Sequence, residues 1–156
     1  MARENKTALQ KATDLLARQD QSEKVLRQKL LLRKYDGAEV DDAINKLKKF
    51  KYINDDETCA NLFEKLYAEE ILSVKQICLK LFQRGYDSAF IEKLIPADTF
   101  QHEYNAALKV ANKKFAGKIS DDLKFKQKFW QHLASKGFST EIISAVFESA
   151  LNGNGN

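Results

Sequence analysis

The sequence predicts an all-α protein built from three tandem three-helix repeats. Apolar residues recur at the i, i+3, i+4 spacing of amphipathic helices along most of the chain. One Pro and six Gly in 156 residues supply too few turns for a β protein. The helical pattern also recurs at shifts of 51 and 52 residues. Because such repeats stack and share hydrophobic faces, we expect an elongated array, straight or curved. An ordinary helical bundle formed after duplication is the competing architecture.

The first repeat, residues 1–53, contains three predicted helices. They cover residues 5–18, residues 22–34, and the stretch from Asp36 to about Lys49. Ser22 can cap the second helix, and Asp36 with Glu39 forms a capping box for the third. The positions predicted to face the core are Ala8, Leu9, Ala12, Leu15, Leu16, Val25, Leu26, Leu30, Leu31, Val40, Ala43, Ile44 and Leu47.

The second repeat, residues 54–100, begins where Asn54 stands as an N-cap acceptor three residues before Glu57. A shift of 51 residues carries the first repeat onto it through all three helices. The matching apolar positions are Cys59, Phe63, Leu66, Tyr67, Ile77, Leu81, Ile91, Leu94 and Ile95.

The third repeat, residues 101–151, precedes a predicted flexible tail at 152–156. Its second and third helices match the second repeat at a shift of 52, but its first helix matches at 48. The four extra residues are therefore placed in a loop around residues 116–123, where insertion is cheap. The matching positions are Ala107, Ala111, Phe115, Phe129, Leu133, Ile143, Val146 and Phe147.

The joint between the second and third helix has the same pattern in each repeat. Gly85 and Gly137 stand where a helix C-terminus favours a left-handed residue, and an aromatic residue follows each. Asp36, Asp87 and Ser139 are predicted to cap the next helix. The first repeat has Lys34 in place of glycine, and a left-handed lysine costs about 1 kcal/mol relative to glycine. We therefore expect a different geometry at that joint.

Nothing in the chain forms a catalytic or cofactor motif. His102 and His132 stand alone, and no Gly-rich phosphate loop is present. Cys59 and Cys78 lack metal-ligand spacing and are predicted to be reduced core thiols. Three acidic pairs could suggest a metal, but placement near helix first turns favours a capping role. These pairs are Asp41-Asp42, Asp55-Asp56 and Asp121-Asp122. We expect a protein without enzymatic activity, cofactor or metal.

The sequence shows no membrane segment and no secretory leader. No apolar run approaches the roughly 20 residues that cross a bilayer. The N-terminus lacks the apolar stretch of a signal peptide. We expect a cytoplasmic protein with no membrane partner.

Positive charge is concentrated in the first and third repeats. Residues 1–53 hold 13 Lys and Arg against 8 Asp and Glu, residues 54–100 hold 5 against 9, and residues 101–156 hold 8 against 5. The segment at residues 124–130 alternates lysines with aromatic residues, as single-strand binding surfaces do. Phe125 and Phe129 match core positions of the other repeats and are predicted to be buried, whereas the position of Trp130 is undecided.

Four segments, in order along the chain, carry a family pattern. Residues 15–30 resemble Leu-Ala-x-Arg-(Asp/Glu)-x-Ser-x-x-Glu-Leu-x-x-Lys-Leu, and residues 50–55 resemble Gly-Tyr-(Leu/Ile)-(Asp/Asn)-Asp. Residues 80–86 resemble Leu-x-x-Lys-Gly-(Ile/Val). Residues 107–138 resemble Ala-x-x-Lys-(Tyr/Phe) followed by Leu-x-x-(Arg/Lys)-Gly-(Tyr/Phe). This series resembles the RecX family, the regulators of the RecA recombinase.

The resemblance implies three tandem three-helix repeats that lie in the groove of the RecA filament on single-stranded DNA and inhibit recombinase and ATPase activity. The implied partners are the RecA filament and single-stranded DNA, with duplex DNA as an additional ligand, and we expect a monomer. One departure is the segment at residues 65–74, which is acidic and without Gly or Pro where the family usually has a basic segment that contains Gly-Pro. The candidate contacts with DNA or partner are Lys24, Arg27, Lys34, Arg84, Lys113, Lys114, Lys124, Lys126, Lys128 and Lys136.

Two other functions remain compatible with the residues. One is a helical DNA-binding module that acts without RecA. The other is an adaptor that binds only proteins, which the acidic middle repeat suggests.

Overall fold

The structure, a computed structural model, describes residues 5–116 and 118–153. Within these residues the secondary structure consists of helices and turns, which confirms the all-α fold class. The helices are α1 (Ala8–Arg18), α2 (Glu23–Leu32), α3 (Gly37–Lys49), α4 (Asp55–Glu69), α5 (Val74–Gln83), α6 (Ser88–Leu94), α7 (Phe100–Phe115), α8 (Leu123–Ser135) and α9 (Thr140–Gly153). The predicted tail overlaps α9 at Asn152 and Gly153, and residues 154–156 lie outside the described residues.

The chain divides into two compact units with interleaved segments. The first comprises the chain up to Leu62 together with Leu81–Ile91, and the second comprises Phe63–Lys80 together with the chain from Glu92. Thus α4, α5 and α6 each contribute residues to both units. The boundaries of the three repeats stay a prediction.

Each unit has an apolar core at the positions that helical periodicity predicts. In the first unit α1, α2 and α3 pack together, and in the second α7, α8 and α9 do so. The first core comprises Ala8, Ala12, Leu15, Leu26, Leu30, Tyr35, Val40, Ala43, Ile44, Leu47 and Ile53. The second comprises Ala106, Ala107, Ala111, Phe129, Leu133, Phe138, Ile142, Ile143, Val146 and Phe147.

Leu31 was predicted to face the core, and this prediction is wrong. Its side chain is 46% exposed, whereas Leu26 and Leu30 are fully buried. The inward face of the ten-residue helix α2 is narrow, and Leu31 lies about 100° around the helix from Leu30. The undecided Trp130 is half-buried and packs against the second core.

Most predicted N-cap residues are confirmed, but Asp36 and Asp122 make no side-chain capping bond. The side-chain oxygens of Ser22, Asn54, Asp87 and Ser139 accept backbone N–H bonds from the first turns of α2, α4, α6 and α9. The capping box at Asp36 is wrong, because the Asp36 side chain makes no capping bond. The Glu39 carboxylate instead accepts a bond from the N–H of Ala8, 3.1 Å away at the start of α1.

The joint after the second helix of each repeat has one geometry. Lys34, Gly85 and Gly137 have φ angles of 65°, 90° and 89°. After each, an aromatic N–H donates to the carbonyl of the residue five positions earlier over 3.3 Å, in the pairs Tyr35 to Leu30, Tyr86 to Leu81 and Phe138 to Leu133. The expectation of a different geometry at Lys34 is therefore wrong. The backbone of Lys34 adopts the left-handed conformation, and its side chain is exposed.

A buried serine explains why the other two joints need glycine. A Cβ atom added to Gly85 would lie 2.6 Å from Ser22 Oγ, and one added to Gly137 would lie 2.8 Å from Ser73 Oγ. Ser22 Oγ donates to the carbonyl of Arg84, and Ser73 Oγ donates to that of Lys136, each over 2.6 Å. Because each serine lies so close to the joint backbone, a side chain there would displace it.

The same serines also begin the helices on which they lie. The N–H of Val25 donates to Ser22 Oγ over 3.2 Å, and that of Gln76 donates to Ser73 Oγ over 3.1 Å. The next N–H after each serine donates to a carboxylate of the following repeat. These bonds run from Glu23 to Asp55 and from Val74 to Glu103. We call this set of bonds the serine joint, and the chain contains it twice.

We predict opposite effects of substitutions at equivalent joints. Lys34→Gly should raise the free energy of unfolding by about 1 kcal/mol, because glycine relieves the left-handed strain without losing a buried contact. Gly85→Ala should lower it by more than about 1 kcal/mol, because it adds both strain and overlap with Ser22. Urea denaturation measures both changes.

The matched control is Gly37→Ala, because its added Cβ meets no atom within 4 Å and its φ angle is not in the left-handed region. Gly37→Ala should leave stability unchanged or raise it. Loss of stability in Lys34→Gly would contradict the geometry of the first joint.

We also predict that Ser73→Ala costs more than Ser139→Ala. Both serines cap a helix, but only Ser73 donates a second bond to a joint carbonyl. Removing a cap alone costs about 1 kcal/mol, whereas Ser73→Ala also leaves the carbonyl of Lys136 without this donor and should cost about 2 kcal/mol or more. Equal losses of unfolding free energy for the two variants in urea denaturation would show that the bond from Ser73 to the Lys136 carbonyl adds no stability beyond that of the helix cap.

Candidate nucleic-acid interface

Three of the cations around α2 and α3 are paired with carboxylates. Arg27 forms ion pairs with Asp41 and Glu23, and these carboxylates raise the pKa of its guanidinium. Lys48 lies 3.1 Å from Glu23, and Lys46 lies 3.2 Å from Asp42. Asp41 and Asp42 thus belong to the second turn of α3 and act as ion-pair partners rather than first-turn caps.

Helix α8 is different, because its own sequence contains no carboxylate. Lys124, Lys128, His132 and Lys136 follow one another at intervals of four residues, so they lie along one side of the helix about 6 Å apart. We call this row the α8 ridge. Lys124 and Lys128 are exposed, and His132 and Lys136 are half-buried. Among the described residues no carboxylate forms an ion pair with its three lysines.

Helix α7 adds a further cation at the C-terminal end of the ridge. The ring of Phe115 packs edge-on against that of His132, with centroids 5.9 Å apart, and Phe115 follows Lys114. Partial burial lowers the pKa of His132, and the ammonium groups of Lys114 and Lys136 lower it further. Two of the predicted contact residues, from different helices, are therefore brought together around one imidazole.

Lys126 lies off the ridge. Its ammonium group is 2.9 Å from a carboxylate oxygen of Asp121 and 5.6 Å from the centroid of the Phe147 ring. Lys126 thus neutralises the acidic residues that precede α8 and covers an aromatic ring of the core.

The aromatic residues of this segment serve the core. Phe129 is fully buried, and Phe125 is half-buried, as predicted. The ring centroid of Phe129 lies 5.4 Å from that of Phe115 and 5.2 Å from that of Phe147. Because these rings contact one another, the α8 ridge offers cations rather than stacking platforms.

The other predicted contacts are dispersed. Lys24 and Lys34 are exposed at opposite ends of α2, and Lys113 is exposed beside Lys114. Arg84 is half-buried, and its carbonyl is held by Ser22 in the serine joint. The structure therefore gathers only the third-repeat residues into a continuous positive row.

Comparison with known proteins shows the family to which this chain belongs. Models of the first and the third three-helix domains of RecX match residues 8–47 and residues 101–147. The chain belongs to the RecX family.

Two relatives carry the description regulatory protein RecX. The chain is 31% identical over 137 residues to the one from Clostridium beijerinckii, covering 83% of this chain and 62% of that protein. It is 32% identical over 146 residues to one from Clostridium botulinum, covering 90% of this chain and 67% of that protein. The chain therefore spans about two thirds of the length of these relatives.

A solved structure supports the fold. The crystal structure of RecX from Lactobacillus salivarius matches with a TM-score of 0.68 at 23% identity, over 92% of this chain and 94% of that chain.

The acidic segment that departs from the RecX pattern is attached to α7. Glu70 accepts two bonds from the side-chain amide of Asn105, at 3.1 and 3.2 Å, and lies 3.7 Å from Lys109. Lys109 also donates to the carbonyl of Glu69 over 3.3 Å. In this RecX chain the segment therefore holds the start of the third repeat.

The two histidines have separate environments. His102 is buried, its ring stacks on that of Tyr67 with centroids 3.9 Å apart, and its Nε2 donates to the carbonyl of Leu72 over 2.9 Å. His132 lies on the ridge. Sequence reasoning treated both as isolated and missed His132, although its spacing of four residues from Lys128 and Lys136 was visible in the sequence.

The remaining chemical groups suggest no second site. Cys59 is fully buried and Cys78 is half-buried, and burial raises the pKa of the Cys78 thiol. Across residues 5–116 and 118–153, no group of three potential metal ligands comes together. The helices in the same residues are too short or too polar to cross a bilayer.

We predict that the ridge lysines and Lys126 differ in their effect on DNA affinity. The double substitution Lys124→Gln, Lys128→Gln should weaken binding to single-stranded DNA and reduce the slope of log K against log salt by about 1.4, since each lost phosphate contact removes about 0.7. Lys126→Gln is the matched control and should change the slope little, because its charge is paired with Asp121. Fluorescence anisotropy across a salt series measures both.

Equal slopes for the double variant and the unsubstituted chain would remove the α8 ridge from the interface. A larger effect of Lys126→Gln than of the double variant would place the contact on the other side of α8.

Proposed function

We propose that this chain regulates the RecA recombinase by binding the RecA filament on single-stranded DNA and limiting filament growth, ATPase activity and strand exchange. Its membership of the RecX family supports this role. The observation that carries the proposal is the α8 ridge, a row of cations without carboxylate partners in the described part of the chain. We expect a cytoplasmic monomer without enzymatic activity, and without a cofactor or membrane partner.

The mechanism follows from where the charge lies. Nucleic-acid phosphates attract unpaired lysines, and the release of bound counterions supplies much of the binding free energy. The α8 ridge would contact the strand, while other surfaces of the chain contact successive RecA subunits. A chain bound in this way would obstruct the addition of further subunits, so the filament would shorten when subunits leave its end.

The second candidate is DNA binding that does not depend on RecA. The α8 ridge favours this candidate too, because its lysines can contact the phosphates of any exposed strand or of duplex DNA. This candidate requires tight binding to bare DNA and no preference for the filament. An adaptor that binds only proteins is a weaker candidate, because Glu70 in the acidic segment is already bound to α7.

We predict that this protein inhibits the single-stranded-DNA-dependent ATPase of RecA at amounts well below one molecule per RecA. Such inhibition indicates action on the filament, because simple competition for DNA requires enough protein to cover the strand. The measurement is a titration of ATP hydrolysis at constant DNA and RecA. Lys124→Gln with Lys128→Gln should require more protein for half inhibition, and Lys126→Gln should match the unsubstituted chain.

Unchanged hydrolysis at equal amounts of the folded protein and active RecA would overturn the proposed function. If the same preparation bound bare DNA tightly, independent DNA binding would replace it.

A further inference from the structure

At the C-terminal end of the α8 ridge an imidazole lies in the field of two lysines. His132 lies four residues from Lys128 and four residues from Lys136. Lys114 on α7 precedes Phe115, whose ring packs edge-on against that of His132 at 86°, and the charge of Lys114 acts on the imidazole. His132 and Lys114 lie on two helices that pack together in the second unit, and Lys136 directly follows α8 in the joint whose carbonyl Ser73 holds.

The cluster favours the neutral imidazole while no anion is bound. Partial burial lowers the pKa of His132, and Lys114 on α7 and Lys136, directly after α8, act in the same direction. Helix α9 presents no charged group to the ring among the described residues, and no carboxylate stabilises the imidazolium. An anion placed among these cations would reverse the balance, because a nearby negative charge favours the protonated form.

We propose that Lys114, His132 and Lys136 form a binding site for a nucleic-acid phosphate, and that His132 takes up a proton when the phosphate binds. The identity of the ligand rests on the proposed function, whereas the proton uptake follows from the cluster itself. A phosphate group supplies acceptor oxygens for two lysine ammonium groups and for an imidazolium N–H. His132 thus adds a fourth charge to the ridge only in the bound state.

The direction of the pH dependence follows from proton binding. The complex holds the proton more tightly than the free chain, so the pKa of His132 is higher in the complex. Affinity therefore rises as the pH falls through the pKa of the complex, and it levels off below the pKa of the free chain.

The test measures binding of a fluorescent oligothymidylate to the full chain without RecA, at constant ionic strength, between about pH 8 and about pH 5.5, the range in which histidines titrate. The unsubstituted chain should bind several-fold more tightly at the acidic end, because the complex holds the proton more tightly than the free chain. His132→Gln should lose most of this dependence and bind as the unsubstituted chain does at the alkaline end. His132→Lys should bind tightly at every pH.

A direct readout separates titration from a structural role. The NMR signal of the His132 ring should titrate at a higher pH when the chain is saturated with the oligonucleotide than when it is free. Lys114→Gln should raise the midpoint in the free chain, because it removes a neighbouring positive charge. The NMR signal of the buried His102 ring, recorded at one constant pH, serves as the internal reference for a change in fold.

Three outcomes would overturn the inference. These are a pH dependence that persists in His132→Gln, a His132 midpoint that DNA does not raise, and absence of binding to the oligonucleotide at every pH. In the last case inhibition of the RecA ATPase could still occur, and the proposed function would stand without this site. Conversely, pH-linked DNA binding without any effect on RecA would retain the site and reject the regulatory role.

Discussion

The hydroxyl group of a buried serine connects two consecutive repeats. Ser22 and Ser73 each accept the N–H that begins a helix and donate to the backbone carbonyl of the following repeat's joint. Each serine hydroxyl therefore accepts a hydrogen bond from the first turn of its own helix. It also fixes the distance between that helix and the joint of the following repeat. Glycine at residues 85 and 137, and the carboxylates of Asp55 and Glu103, are consequences of this close approach. Burial raises the pKa of both carboxylates, and each accepts a backbone bond that partly offsets the cost.

A shared joint leaves the outer faces of the repeats free to differ. The second helices α2 and α8 both carry several cations, but around α2 a neighbouring helix supplies Asp41, whereas α8 has no carboxylate of its own. The repeated fold thus presents similar scaffolds with different electrostatic surfaces. In this chain α8 carries a row of lysines without carboxylate partners among the described residues, while the second repeat uses Glu70 to hold α7.

Helical periodicity predicted the cores, because a buried face requires apolar residues at fixed intervals. The N-cap at Asn54 and the loop at residues 116–123 were predicted for a similar local reason. Features that depend on a distant segment were not predictable in this way. Glu39 could cap locally, yet it contacts Ala8 across the first repeat, and no local pattern shows that Asp41 would pair with Arg27. The predicted contact residues followed charge along the sequence, so paired and unpaired cations were treated alike, and His132 was missed.

Lys34 has a consequence for how related sequences can be interpreted. At the equivalent positions in the other two joints, Gly85 and Gly137, glycine is needed for two separate reasons. These are the left-handed φ angle and the close approach of a serine. Lys34 has the φ angle but is exposed to solvent, so only the smaller conformational cost remains. A residue with a long side chain at this position therefore indicates a joint that no serine approaches, whereas glycine is compatible with either kind of joint. In this chain that position is lysine in the first repeat and glycine in the two that follow it.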